Sequence, residues 1–456
     1  MEEETAGVRT LLGNPKKAII MMAIPIAIAN IVQSTNNIID AVWVAGLGTA
    51  ALAATGVLFP YFFILIGIGN GIGVGASQAI ARRIGAKDKE GADRVAAQAF
   101  FLTLVAGLII SVLYLIALEP LLAATGAGDY LDECVAYGAP LLGSGVVVVF
   151  CSMFSGLLRA EGAAKRAMIT QLLGAVLNII FDPIFIYVLD MGVAGAAWAT
   201  ILSMVLSIWL AFYWYIIKKD TFIRIPMRGF RFNGELIKDI LKVGAPASLE
   251  MILISLCAMA TNVIVLIVDA ENGVAIFTTG WRILDLLMIP AMSIGFALVP
   301  IGAAALGARD FDKMKVAYKY ALKVSVGLSL VMMLLTLVIA PLMVAMFTYN
   351  DDVSHLEKDL TTFLRMCCVF LPFMAFGFPS ASMFQALGKG LQSLCSALVM
   401  NLLRIPLCYI AAITVGTMSA LCCGLIASEI GGSMVTFLWC IIVLRKLFAE
   451  NKAVEQ

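Results

Sequence analysis

Residues 177–188 read LNIIFDPIFIYV, a run of Ile, Leu, Phe and Val that carries one carboxylate, Asp182, directly before Pro183. A charged Asp in the centre of a bilayer costs about 2.5–3.5 kcal/mol on insertion scales, so such residues face a bundle interior or a wet recess. The surrounding chain decides whether this run lies in a bilayer. Of 456 residues, 62% are hydrophobic and 13% charged, and the mean hydropathy is +0.99. Soluble domains carry roughly 25% charged residues, so this is the composition of a membrane protein. A formal net charge of +1 leaves no basic excess, which argues against nucleic acid as a partner.

A helix that crosses the hydrocarbon needs about 20 mostly apolar residues. Twelve such runs occur, at about 18–45, 52–81, 93–118, 132–158, 166–188, 192–217, 237–268, 274–306, 316–347, 360–386, 391–414 and 417–445. The joints between them sort by charge. Lys16 and Lys17 precede the first run, and every even joint is basic: Arg82, Arg83, Lys87, Lys89 and Arg94; Arg159, Lys165 and Arg166; Lys218, Lys219, Arg224, Arg228 and Arg231; Arg309, Lys313 and Lys315; Lys389; and finally Arg445 and Lys446. The odd joints carry Glu119, Asp129, Asp132, Glu133, Asp190, Asp269, Glu271, Asp351 and Asp352, with Lys358 as their one basic residue. The positive-inside rule then predicts a multi-pass cell-membrane protein with both termini cytoplasmic. The acidic start, MEEET, and the length of the first run predict no cleaved signal peptide.

The chain repeats itself. AIP at 23–25 matches GAP at 244–246, RIGAKDKE matches ALGARDFD through Gly85 and Gly307, and Asn178 with Pro183 matches Asn401 with Pro406, at offsets of 221, 222 and 223. Because six spans is an even number, both repeats enter from the same side, as parallel repeats do; transporters of this plan place their sites near the repeats and alternate access by rocking. The expected fold is an all-α polytopic membrane protein of 12 transmembrane helices in two six-helix lobes. Its predicted divisions are an N-lobe at 1–217, a cytoplasmic linker at 218–236 and a C-lobe at 237–456.

The repeat also serves as an internal control for Asp182. Its counterpart is Ile405, and Asp40 in the first run has Thr261 as counterpart, so the fold plan does not require these carboxylates. Asn36 lies four residues before Asp40, and Asn178 four before Asp182, which places each pair on one helix face. Pro183 has no N–H for the carbonyl of Ile179 and leaves a free acceptor nearby. Oxygen-rich pockets of this kind suit protons and hard monovalent cations, and two close carboxylates titrate together. Against this stands a structural reading, in which each Asp fastens helices by hydrogen bonds.

The second half has its own charges within apolar runs: Glu250, Arg282, Asp285, Arg365, Arg404 and Glu429. Arg282 and Asp285, three apart, can pair with each other, which leaves structural and functional readings open. Glu250 has no sequence-local partner. GIGNGIGVG at 67–75 lacks the GK[ST] ending of a phosphate loop and reads as close helix packing by small residues. The ten cysteines form no CxxC and read as reduced core hydrophobes. His355, in an acidic loop, has no neighbours for a metal site. No enzyme motif occurs, and the chain is expected not to be an enzyme and to need no cofactor.

Three stretches carry a resemblance: NNIIDAVWVAGLGTAALAATG after Pro25, then GVGASQAIARRIGAKDKEGAD, then LLRAEGAAKRAMITQLLGAVLNIIFDPIFIY. Together they resemble the multidrug and toxic compound extrusion (MATE) family, its DinF-like branch in particular, over about Gly13 to Arg445. The resemblance implies a secondary antiporter exporting organic cations and other amphipathic small molecules against Na+ or H+, with two lobes forming a V around a central cavity. It also implies a cation site at Asp40, Asn178, Asp182 and Thr200, with no other metal. Tyr137 would lie near the cavity; Asn36, Glu250 and Arg282 are further substrate or cavity candidates, and Pro183 is a candidate hinge. Relatives often have Tyr where this chain has Asn36. The expected partners are such substrates and membrane lipids, and the expected state is a monomer. The alternative is a flippase for lipids or lipid-linked substrates on the same plan, for which Arg282, Arg365 and Arg404 would supply positive charge.

Overall fold

The computed structural model describes residues 5–124, 130–226, 229–347 and 354–455. Asp129, Arg228, Asp351 and Asp352 of the charge pattern lie outside the described residues. Among the described residues the chain is helical, with no strand. The helices are α1 (Ala6–Leu12), α2 (Pro15–Ala45), α3 (Thr49–Gly85), α4 (Lys89–Ala124), α5 (Leu131–Gly143), α6 (Gly145–Ala160), α7 (Ala164–Pro183), α8 (Gly192–Phe212), α9 (Gly234–Val268), α10 (Gly273–Gly307), α11 (Phe311–Ala345), α12 (Glu357–Cys367), α13 (Leu371–Ala386), α14 (Gly390–Thr414) and α15 (Met418–Glu455). Among the described residues, eleven spans are long and apolar enough to cross a membrane, or twelve when α5 and α6 count as one bent span.

That bent span departs from the uninterrupted run expected there. The expected helix at 132–158 breaks at Ser144 by 48°. Pro140 lies one turn before the break, and Gly143 and Gly145 flank it, the residue types at which helices kink. The hydroxyl of Ser111 in α4 takes up the freed N–H of Val146 at 3.1 Å.

Local sequence sets the helix ends. Asn14 caps α2 by accepting from the N–H groups of Lys16 and Lys17, with Pro15 at the first helical position, where its missing N–H is not needed. Asp310 caps α11 through the N–H of Lys313 at 2.9 Å. The repeat is visible in the backbone as well: Lys87 and Arg309, at equivalent places after α3 and α10, both turn through the left-handed region with φ of 60° and 54°.

The chain clusters into two compact units, Met1–Ile252 with Ala303–Arg309, and Leu253–Gly302 with Asp310–Gln456. In the first, the glycine stripe of α3 is close packing, as the sequence predicts. A Cβ on Gly69 would stand 2.8 Å from Ser152 of α6, and one on Gly75 would strike the Ile240 carbonyl of α9. Successive glycines thus serve two neighbouring helices. Leu58, Leu65, Leu122, Leu141, Leu142 and Ile186 form a core around them. The linker after α8 is tied to this unit: Glu161 accepts from the N–H groups of Phe222 (3.0 Å) and Ile223 (3.1 Å), and Gln98 donates to the Arg231 carbonyl at 2.8 Å. In the second unit the core is built from Leu284, Phe363, Leu364, Phe370, Leu421 and Leu425, with Cys367, Cys368, Cys408 and Cys422 among them. All ten cysteines are free thiols, seven of them buried. Outward faces are apolar, as on α4, where Leu108, Val112 and Ile116 are 50%, 52% and 74% exposed. A contiguous stripe of this kind belongs against lipid.

Candidate functional site

Three helices of the first unit bring together the residues expected from sequence. α2 supplies Asn36 and Asp40, α7 supplies Asn178 and Asp182, and α8 supplies Thr200. Asn178 is the centre of the group. Its carbonyl oxygen accepts from the Asn36 amide at 2.8 Å, and its own amide donates to Asp182 Oδ1 at 2.8 Å and to Thr200 Oγ1 at 3.4 Å. Asp40 and Asp182 are neighbours, each in the other's electrostatic field. Asp182 is 0% exposed, Asn178 4% and Asn36 6%.

The Asn178 amide spends its donors on Asp182 and Thr200, whereas acceptors remain. Asn36 Oδ1, Asp40 Oδ1 and Asp182 Oδ2 are buried with no hydrogen-bond partner, although most buried polar atoms find one. Among the described residues neither carboxylate is ion-paired with a Lys or Arg. Two neighbouring carboxylates in low dielectric favour sharing a proton or a cation over both holding an uncompensated charge. The group is therefore an oxygen cluster that lacks positive charge, suited to Na+ or H+.

The surroundings bear on two more expected residues. Tyr137 of α5 is 9% exposed and lies in the field of both carboxylates. Pro183 ends α7, and the five residues after it, Ile184–Val188, wind as a π-helical turn. Such turns mark places where the i→i−4 ladder is interrupted, which fits the missing N–H of Pro183. Sequence reading missed what holds this turn: the Tyr187 hydroxyl donates to the Trp43 carbonyl of α2 at 2.6 Å, and the two rings meet edge to face at 6.2 Å. The aromatic types at 43 and 187 were its only sequence signal.

Glu250 and Arg282 are carried by α9 and α10, not by the three helices that supply this group. Glu250 is half-buried on α9, and Arg282 is exposed on α10. The pairing of Arg282 with Asp285 is not formed; among the described residues the two make no ion pair, and the guanidinium whose field reaches Asp285 is that of Arg404. Helical spacing allowed the local pair, and both residues are exposed on α10, yet the pair is not formed. Arg404 of α14 instead forms a buried ion pair with Glu429 of α15 and lies 5.1 Å from the Trp281 ring centre. His355 lies near Asn272, Nε2 to Oδ1 3.2 Å, and no metal-ligating group of three occurs among the described residues.

This arrangement can be set beside known proteins. The MatE family profile matches residues 25–184 and again 246–410. The chain belongs to the MatE family. The two MatE matches begin at Pro25 and Pro246, the prolines that anchor the internal repeat, and the first contains Asn36, Asp40, Asn178 and Asp182. Among MatE relatives, the chain is 28% identical over 397 residues to the multidrug export protein MepA of Staphylococcus aureus (strain MSSA476), covering 86% of each chain. It is 26% identical over 351 residues to the probable multidrug resistance protein YoeA of Bacillus subtilis (strain 168), covering 75% of each. A structure described as the outward-facing conformation of a multidrug resistance MATE family transporter of the MOP superfamily matches with a TM-score of 0.95 at 38% identity, over 98% of this chain and 100% of that one. A MOP superfamily transporter from Pyrococcus furiosus Vc1, described by the reverse polarity of its binding pocket, matches with a TM-score of 0.94 at 38% identity, over 98% and 99%.

Proposed function

We propose that this chain is a multidrug antiporter of the DinF-like branch, which expels amphipathic organic cations by alternating access in exchange for Na+ or H+ bound at Asp40, Asn178, Asp182 and Thr200. It works as a monomer in the cell membrane, with both termini and the 218–236 linker cytoplasmic and each six-helix lobe one repeat. The observation that carries this reading is the set of three buried, unpartnered oxygens on Asn36, Asp40 and Asp182. A fastening network would pair its acceptors; a site that binds and releases a cation leaves them for it. Multidrug export by MepA and the 38% identity to a multidrug resistance transporter support the choice of substrate class.

Coupling follows from occupancy. With a cation or proton held between them, Asp40 and Asp182 draw α2 and α7 together; once it leaves, their repulsion favours a different packing. A ligand shifts such an equilibrium by its differential affinity for the two packings. Pro183 and the π-turn after it let the outer part of α7 move while Asn178 keeps its hold on Asp182. Tyr137, beside both carboxylates, can report their charge to a bound substrate.

The test is uptake or release of a fluorescent organic cation by proteoliposomes under an imposed Na+ gradient, H+ gradient, or none. Gradient-driven movement that Asp182→Asn abolishes supports the reading and names the ion. The flippase alternative would draw on Arg282, Arg365 and Arg404, of which Arg404 is ion-paired with Glu429. Lipid movement without any gradient dependence would favour it.

A further inference from the structure

The antiport reading leaves the buried charges of the second half without a role. Arg404 on α14 is 5% exposed and Glu429 on α15 is 0% exposed, and they are ion-paired. The pairing is incomplete. Arg404 Nε and Glu429 Oε2 are both buried without a partner, so the guanidinium keeps an unused donor. Its face packs on Trp281 at 5.1 Å. Asp285 follows Trp281 by four residues on α10, one turn further along the same face, and it is exposed and within the field of Arg404. The span that carries it, Gly273–Gly307, is the most enclosed of the candidate spans, with 72% of its apolar window buried. An exposed carboxylate on a span of that kind belongs to a wet recess rather than to lipid.

We propose that Asp285 is a second exchange site, for a proton, in the second half, and that Arg404 reads its state by dividing its hydrogen bonds between Glu429 and Asp285. The proposal rests on the antiport reading but not on the first-half site. Arg404 can balance only one of the two carboxylates: Glu429 takes it as an ion pair, and Arg282, exposed and not ion-paired with Asp285, leaves the Asp285 carboxylate for a proton. The proton goes from water to a carboxylate oxygen of Asp285, the accessible member, because Glu429 is sealed. With that proton bound, Arg404 belongs to Glu429, as observed. When it leaves, the Asp285 carboxylate competes for the unused Nε–H, and the guanidinium shifts across the Trp281 ring.

A metal cation fits this place poorly. It would stand beside a fixed guanidinium, and no group of three ligating side chains is present among the described residues; a proton bonds to the carboxylate without approaching the guanidinium. The other groups facing the cluster are thiols: Cys257 of α9 and Cys408 of α14 towards Arg404, and Cys367 of α12 and Cys408 towards Glu429. Cys422 of α15 lies beside Cys367 and Cys408. Arg282, three residues before Asp285, is exposed and not paired with it. Asp285, Arg404, Glu429 and Arg282 are therefore the charges to consider.

The experiment uses the full chain in proteoliposomes, with Trp43, Trp198, Trp209, Trp214 and Trp439 replaced by Phe so that Trp281 alone reports. Its emission should shift with pH between 5 and 9, should still shift in Asp182→Asn, and should be flat in Asp285→Asn. In the chain with all tryptophans present, the proton-to-substrate ratio from reversal of transport should fall by one in Asp285→Asn. A Trp281 transition that survives Asp285→Asn, or an unchanged ratio, overturns the proposal. Failure of the first-half reading would show separately, as coupled transport that persists in Asp182→Asn.

Discussion

Asn178 uses both ends of its carboxamide, accepting from Asn36 and donating to Asp182 and Thr200. Hydrogen bonds to charged groups contribute about 1.5–3 kcal/mol, so Asn178→Leu should weaken cation binding by about tenfold or more, read by Na+ or proton titration of the purified protein; unchanged affinity would remove Asn178 from the site. A second residue-scale prediction concerns Glu161, outside the spans at the end of α6. Burial pushes its carboxyl up to about 7, although the N–H groups of Ile223 and Phe222 and the charge of Arg166 oppose this. Because the folded value lies above the ordinary 4.5, the folded state binds more protons between these values, and stability falls as pH rises through that window. The protein should melt at a higher Tm at pH 5 than at pH 8, and Glu161→Gln, which keeps an acceptor for both N–H groups, should flatten that dependence. A Tm that rises with pH in the parent would contradict it.

At the scale of elements, α3 offers a controlled comparison. A side chain at Gly71 would collide with Gly244 and Ser248 of α9, whereas nothing lies within 4 Å of a Cβ at Gly56 in the same helix. Overpacking costs about 1–3 kcal/mol, so Gly71→Val should lower the Tm by several degrees and Gly56→Val should leave it unchanged. Equal effects would mean that helix propensity, not close approach, governs these glycines. The π-turn after α7 gives another prediction. Pro183→Ala restores an N–H for the Ile179 carbonyl and lets the α-helical ladder continue, so amide exchange over Ile184–Tyr187 should slow and transport should fall several-fold while the fold is kept. Faster or unchanged exchange there would remove Pro183 as the cause of the turn.

For the whole molecule, the hydropathy runs, the basic even joints and the repeat anchored at Pro25 and Pro246 make the helical plan readable in the sequence. Period and length are local properties, and so is the i, i+4 spacing that put Asn36 with Asp40 and Asn178 with Asp182. What was not readable is what depends on long loops closing in space. Asn36 and Asn178 are 142 residues apart, and only the family resemblance added Thr200 to them. Arg404 and Glu429, 25 apart, were visible as charges but not as partners, because nothing in either helix's own spacing joins them. The nearer choice, Arg282 with Asp285, satisfied the spacing, but the charge that acts on Asp285 comes from Arg404 on another helix, which spacing along α10 does not show. The break at Ser144 was hidden because an apolar run reads the same whether its helix is straight or bent.

The repeat also bears on energetics. The two halves answer buried charge differently: the first leaves its carboxylates without a fixed cation, and the second supplies Arg404 to Glu429. Removing one member of a buried pair costs about 3–5 kcal/mol, while replacing both with apolar residues can be close to neutral. Arg404→Met should therefore destabilise strongly, and the double change Arg404→Met with Glu429→Leu should recover much of the loss in thermal unfolding. A double variant no better than the single one would mean that the pair contributes more than charge balance.

The central claim is that the first-half carboxylates hold the coupling ion, and the direct measurement is efflux of a fluorescent organic cation from proteoliposomes under an imposed Na+ or H+ gradient. The parent should move the dye against its gradient with one of these ions, and Asp182→Asn, folded with an unchanged elution profile, should not. Gradient-driven efflux of parental rate in Asp182→Asn would contradict the account.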